Sequence, residues 1–453
     1  MASPLDLIDT VVVVILENRS FDHMLGYLSL AGPEPIPVDG LHGDPEWLQR
    51  HANSGVAPFA FSVERIDDPP HDAAAVAVQL GAPAAPFPMN GFVESYRRRR
   101  PPPADERLVM GYYTGAAVPV FDFFARNFTV CDHWFAALPT GTQANRLMAM
   151  SGTTCLIDNA PLFLPDQPLV YDWLSERGVS WCVYQSGDFL PFFALMPRWQ
   201  GEIAASLALD ALVPHAHPRF RRYRNFARDW TTEQNMPAVI FIEPEYTDAP
   251  HVAPNDDHPP TGITPGQVLL RDIYTALIAN PVRWARTVMI VTYDEHGGFF
   301  DHVPPLPIPM RIPGHGPNPV FLVGGVRVPA FIVSPLVDPA TIYPEPLDHT
   351  AVLQFLADKF AGGIYSAAVG ERQAFLSPLT AAITRTAPRS AAPEPPEVGA
   401  IEMVAATVPE RSASAEANAA AFRLAAAKIA TDHPGIAIGW PGLLQAAAGR
   451  LRA

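Results

Sequence analysis

An α/β fold with helices on both faces of a mostly parallel sheet is predicted by three features of this chain. The first is the run Thr10 to Asn18, TVVVVILEN, in which β-branched residues fill Val11 to Ile15 before Leu16, Glu17 and Asn18. A continuous apolar run of this kind is a strand buried on both faces. The second is Thr287 to Thr292, TVMIVT, followed by Tyr293-Asp294-Glu295-His296-Gly297-Gly298. The third is the alternation of such runs with helical segments, which argues for parallel strands joined by helical crossovers.

In chain order, strands are expected at residues 11–16, 180–184, 238–242, 287–292 and 330–334. Helices are expected at 118–127, 145–151, 170–177, 266–279 and 349–360. Ligand sites of such folds lie beyond the carboxyl ends of the strands. Glu17, Asn18, Asp294 and Glu295 fall at that edge, so distant parts of the chain predict one oxygen-rich metal site. Adjacent carboxylates repel one another and favour a nearby cation. The competing reading is a turn leaving a strand and an exposed acidic turn.

The chain has 453 residues and 48% hydrophobic content, enough for one large domain with an appendage. Its formal net charge of −15 argues against nucleic-acid binding. The basic run Arg97 to Arg100, followed by three prolines, reads as an exposed loop. Cys131, Cys155 and Cys182 form no C-x-x-C pair and read as small buried hydrophobes. No secretory signal or membrane span is evident, so the chain as given reads as soluble, whether cytoplasmic or exported with its leader removed. Domain boundaries are expected at residues 1–384, a Pro/Ala-rich linker at 385–412, and a helical tail at 413–453. The tail reads as a packing or capping appendage. Its main helix is placed at 415–429, with Ser414 capping it, and a shorter one at 442–451.

Leu138-Pro139-Thr140-Gly141-Thr142-Gln143-Ala144-Asn145-Arg146 is a turn running into a helix. Spacing alone favours Thr142 as an N-cap. The sharper reading makes its hydroxyl a nucleophile, because helix N-termini stabilise phosphoryl groups and a metal lowers a hydroxyl's pKa. His71, His258, His302 and His349 each follow an aspartate or an Asp-Pro-Pro run. Singly, each reads as a surface or structural histidine. Phosphoryl transfer would need such donors around its oxygens and an acid for the leaving alcohol.

Glu17-Asn18-Arg19-Ser20-Phe21-Asp22-His23 resembles the opening motif of the bacterial phosphoesterase family that contains non-haemolytic phospholipases C and acid phosphatases. Met110-Gly111-Tyr112-Tyr113, Phe128-Thr129-Val130-Cys131-Asp132, Ser151-Gly152-Thr153, Tyr171-Asp172-Trp173-Leu174 and Arg327-Val328-Pro329-Ala330 follow in the family's order. The resemblance spans roughly residues 8–362. It implies an alkaline-phosphatase-like α/β/α sandwich. It places Glu17, Asn18, Thr142, Asp294 and Glu295 on metal-ligand positions, with Thr142 also the nucleophile. It places His71, His258 and His349 on phosphate-contacting or acid/base positions, and His302 in a structural role. The chain differs in reading Thr140-Gly141-Thr142 where the family often has Gly-Pro-Thr, and its tail is too short for the β domains of larger phospholipases.

The function expected is a metal-dependent phosphoesterase of the phospholipase C type working through a phospho-threonine. Its cofactor would be one divalent ion (Ca²⁺, Mg²⁺, Mn²⁺ or Zn²⁺), and its substrate a phosphate ester such as a phospholipid or a choline ester. The alternatives are an acid phosphatase and a non-catalytic binding protein on the same fold. A sulfatase is disfavoured because the sequence has no Cys/Ser-x-Pro-x-Arg motif. Aromatic residues between Phe189 and Trp199 would suit a choline cage or the core equally.

Overall fold

The computed structural model describes residues 4–30, 35–81, 87–187, 190–212, 219–249, 254–399 and 411–433. The expected helix at 442–451 and Phe189 lie outside them. The central sheet has eight strands: Thr10–Leu16 (β1), Thr129–Val130 (β2), Trp181–Gln185 (β3), Phe220–Arg222 (β4), Val239–Glu243 (β5), Thr287–Tyr293 (β6), Ala330–Val333 (β7) and Thr341–Ile342 (β8). Their spatial order is β8-β2-β7-β6-β1-β5-β3-β4. β1 lies at the centre, parallel to both β5 and β6. β7 runs antiparallel to β6 and β2, so the sheet is mostly parallel, as expected.

Side-chain alternation assigns the two faces. Val13, Ile15, Phe241 and Thr292 meet the helices Thr142–Ser151 and Thr350–Phe360 around a small internal cavity. On the opposite face, Tyr293 and Phe331 meet Phe121 of the helix Pro119–Asn127. Tyr274 of Thr264–Ile278 then packs on Phe123 and Phe124. Because both faces are covered, every residue of β1 and β6 is buried, which is why neither run alternates with polar residues.

Two sequence expectations are corrected. Arg97 and Arg98 are exposed and pair with Glu94 and Glu106, but Arg99 is buried and donates to the Asp68 carbonyl at 3.0 Å. The tail helix spans Ala413–Asp432, and its N-cap is Ser412, whose hydroxyl accepts from the Ala415 N–H. The three cysteines are free, Cys131 and Cys182 being buried. Among the described residues, no helix is long and apolar enough to cross a membrane.

Candidate active site

β1 and β6 end in register, with Leu16 opposite Tyr293, so Glu17 and Asp294 leave adjacent strands side by side. The Asp294 N–H donates to the Leu16 carbonyl at 3.0 Å. Asn18 turns the chain with φ 62, a left-handed conformation that asparagine tolerates better than most residues. Its N–H donates to Asp294 Oδ1 at 3.2 Å, and the Glu295 N–H reaches the same oxygen at 2.8 Å. Gly297 closes the turn by donating its N–H to Glu295 Oε2 at 2.9 Å.

The Gly297 turn needs its glycine twice over. Its φ is +64, and a Cβ there would sit 2.1 Å from the Asn18 carbonyl oxygen. Gly297→Ala is therefore expected to cost at least about 2 kcal/mol, since left-handed backbone alone costs 1–2 and the clash adds to it. Denaturant unfolding checks this; a loss under 1 kcal/mol would show that the two acidic segments slide apart freely.

The helix bearing Thr142 begins at that residue, and its N-cap is Gly141. Asn145 fastens the turn before it, with Nδ2 donating to the Leu138, Thr140 and Gly141 carbonyls and Oδ1 accepting the Leu138 N–H. Thr142 is thus not the cap that spacing favoured. Its hydroxyl is buried and has no hydrogen-bond partner. Arg146, one turn later, donates to Glu17 Oε1 at 3.1 Å and to the carbonyls of Ile15 and Leu16, and its Nε lies 3.7 Å from Asp294 Oδ2.

His71 and His258 stand across Asn18, whose Nδ2 is 3.4 Å from His71 Nε2 and 3.1 Å from His258 Nε2. His258 Nδ1 faces Glu17 Oε2 at 3.2 Å, and its Nε2 is 3.5 Å from Asp68 Oδ1. Burial opposes the charge on His258, but Asp248, Asp68 and Glu17 outweigh it and hold its pKa well above the ordinary value. His71 is raised in the same way, against burial, by Glu295 and Asp68. Asp294 is pushed up to about 8 by burial first and then by the charge of Glu17.

His349, expected on a phosphate-contacting or acid/base position, reaches the same edge. Its Nε2 lies 2.6 Å from the Asp294 carbonyl oxygen, and its Nδ1 accepts from Trp134 Nε1 at 3.2 Å. Both ring nitrogens are committed, and burial holds its pKa down at about 4. It is a neutral brace for Asp294. His302 donates within a separate network to Asp22 and Asp39, at 2.7 and 3.1 Å.

The chemistry of the donors fits a hard cation. Asn18 Oδ1, Thr142 Oγ1, Asp294 Oδ2 and Glu295 Oε1 are all buried without a hydrogen-bond partner, and such orphaned oxygens are costly unless something binds them. Glu17, expected among the ligands, meets Arg146 and His258 through its two oxygens. It also belongs to one of two tight groupings of ligating atoms here, Glu17 with Asp256 and His258, the other being Asp68 with His71 and His258.

Sequence reading gave no role to Asp68, Asp248, Asp256 or Arg146. The i,i+4 spacing of Thr142 and Arg146 could have revealed the last, since it puts both on one helix face. The acidic Asp67-Asp68-Pro69-Pro70-His71 loop held the clue to Asp68. The aromatic stretch resolves toward the core: Phe192, Phe193 and Trp199 are buried, and Phe192 packs on Phe193, Tyr246 and Phe422.

A buried, unpartnered hydroxyl at the start of a helix that reaches an acidic, histidine-flanked sheet edge through Arg146 is the equipment of a hydrolase acting on phosphoric esters. The chain belongs to the phosphoesterase family, which it matches over residues 8–361. It is 32% identical over 433 residues to non-specific phospholipase C3 of Arabidopsis thaliana, covering 86% of this chain and 76% of that one. It is 29% identical over 405 residues to phospholipase C B of Mycobacterium tuberculosis, covering 78% and 73%. Solved structures similar to it include the phosphonate monoester hydrolase of Agrobacterium radiobacter, at 11% identity and a TM-score of 0.36, covering 78% of this chain and 73% of that one. A protein of the alkaline phosphatase superfamily from Vibrio parahaemolyticus gives 11% and 0.34, covering 56% and 62%.

Proposed function

We propose that the protein is a phospholipase C-type phosphodiesterase that works through a phospho-threonine. The observation that carries this reading is the unpartnered Thr142 hydroxyl, buried at the N-terminus of the helix whose Arg146 reaches Glu17 and Asp294. The relatives named phospholipase C support the diesterase class. Glu17, Asn18, Thr142, Asp294 and Glu295 would hold one divalent ion, with Glu17 also anchoring Arg146 and His258. When bound, such an ion acidifies a hydroxyl and offsets phosphoryl charge.

The chain's own residues then divide the work. Thr142 Oγ1, its proton already released to solvent, attacks phosphorus as the bond to the leaving alcohol breaks, and it is the group that water displaces afterwards. The N–H groups at the start of its helix and His71 bind the non-bridging oxygens. His258, charged by its carboxylate neighbours, gives its proton to the alcohol. Neutral afterwards, it takes a proton from the water that cleaves the phospho-threonine. His349 holds the Asp294 backbone.

Nitrophenyl phosphorylcholine and nitrophenyl phosphate, assayed side by side after chelation and divalent-ion add-back, test the reading. The expected result is metal-dependent release, faster from the diester. Preference for the monoester would make the protein an acid phosphatase, and no metal-dependent release from either would leave a non-catalytic member of the fold.

A further inference from the structure

The match to the family ends at residue 361, yet the walls of the site do not. The helix Ala413–Asp432 lays its first turns against the groups that surround the histidines. The Ser412 N–H donates to Asp68 Oδ2 at 2.9 Å, while Asp68 Oδ1 faces His71 and His258. Asn418 is fully buried. Its Nδ2 donates to Asp248 Oδ2 at 2.9 Å, the oxygen that lies 3.9 Å from His258 Nδ1. Its Oδ1 accepts from Gln143 Nε2 at 3.1 Å, next in sequence to Thr142. Asn159 binds both the Gln143 N–H, at 2.8 Å, and Ser414, through its side-chain amide. Phe422 packs on Phe192 and Tyr246, whose rings lie under the Arg146 guanidinium.

We propose that Asn418 is a positioning residue of the active site, tying the nucleophile's helix to Asp248, the buried carboxylate that stands beside His258 and adds to the negative charge around it. The proposal rests on the phosphoryl-transfer reading of Thr142 and His258. An amide suits this place because it donates to a carboxylate and accepts from a second amide at once, with no charge added to an already acidic pocket. A hydrophobic residue there would leave Asp248 and Gln143 short of partners. The tail is thus part of the reaction chamber, supplied from beyond the matched segment.

The test measures kcat and KM on nitrophenyl phosphorylcholine for the full chain carrying Asn418→Ala, Asp248→Asn, both together, or Arg423→Ala. Asn418→Ala is expected to lower kcat about 10–100-fold, the usual effect of losing a partner that orients a site residue, with KM changed less than about twofold. In the Asp248→Asn background the same change should cost under about threefold, because contacting residues act together. Arg423, an exposed partner of Glu416 on the same helix, should be replaceable without effect. If Asn418→Ala does not fold, Asn418→Ser serves instead, because it keeps a polar group at that position but is too short to bond Asp248 and Gln143 together. Unchanged or increased kcat, additive losses with Asp248→Asn, or an equal loss in Arg423→Ala would overturn the proposal. A Thr142→Ala variant that still turns over would instead overturn the reading beneath it.

Discussion

Thr142→Ala is expected to abolish turnover, lowering kcat by about 10⁴-fold or more, as losing a covalent nucleophile does elsewhere. Its stability should change little, because the hydroxyl makes no hydrogen bond that folding could lose. Removing an unsatisfied buried oxygen relieves a desolvation cost, which offsets the lost contact of one methyl. Thr142→Ser should keep most of the activity, since it keeps the attacking atom. Acid-quenching the parent during turnover of nitrophenyl phosphorylcholine should trap a phosphorylcholine group on Thr142, visible as a mass increment on its peptide. Turnover by the alanine variant within a few-fold of the parent would remove Thr142 from the mechanism.

The sheet was legible where burial left a pattern and obscure where it did not. β1 and β6 announce themselves because both faces are covered, so their sequences are mostly β-branched and apolar and carry no charged residue. β2 and β8 are two residues long and held by neighbours, with too few side chains to make any period visible. The helix at Thr142 was expected three residues late. Gly141, Thr142 and Gln143 look like loop residues, and the turn is fixed by Asn145 bonds to carbonyls that periodicity does not report.

The same distinction governs the site. Glu17, Asn18, Asp294 and Glu295 were readable because each follows a strand end directly, and parallel register then aligns them. Their division of labour was not readable. Only the three-dimensional placement of Arg146 shows that Glu17 is occupied while Asp294 keeps a free oxygen. Asn418 was beyond sequence reasoning altogether, because its partners are 170 and 275 residues away.

Arg146 carries the second large effect, and here stability rather than chemistry responds first. Its guanidinium is buried among Glu17, Asp294 and the end of β1, over the rings of Phe192 and Tyr246. Methionine fills a similar space without charge or donors, so Arg146→Met would leave the buried Glu17 carboxylate without its cation and the Ile15 and Leu16 carbonyls without that donor. Breaking a buried ion pair from one side costs about 3–5 kcal/mol, and that loss is expected in denaturant unfolding of the metal-free protein. A divalent ion supplies the charge that Arg146 no longer does. Its addition should therefore raise the unfolding midpoint more in the variant than in the parent, since a ligand that binds the folded state stabilises it according to its affinity. The comparison separates two accounts of the acidic edge. If the carboxylates are held ionised for a cation, the variant recovers with the ion. If Arg146 alone balances them and no cation binds, the loss persists at every ion concentration, and the metal-dependent mechanism falls with it.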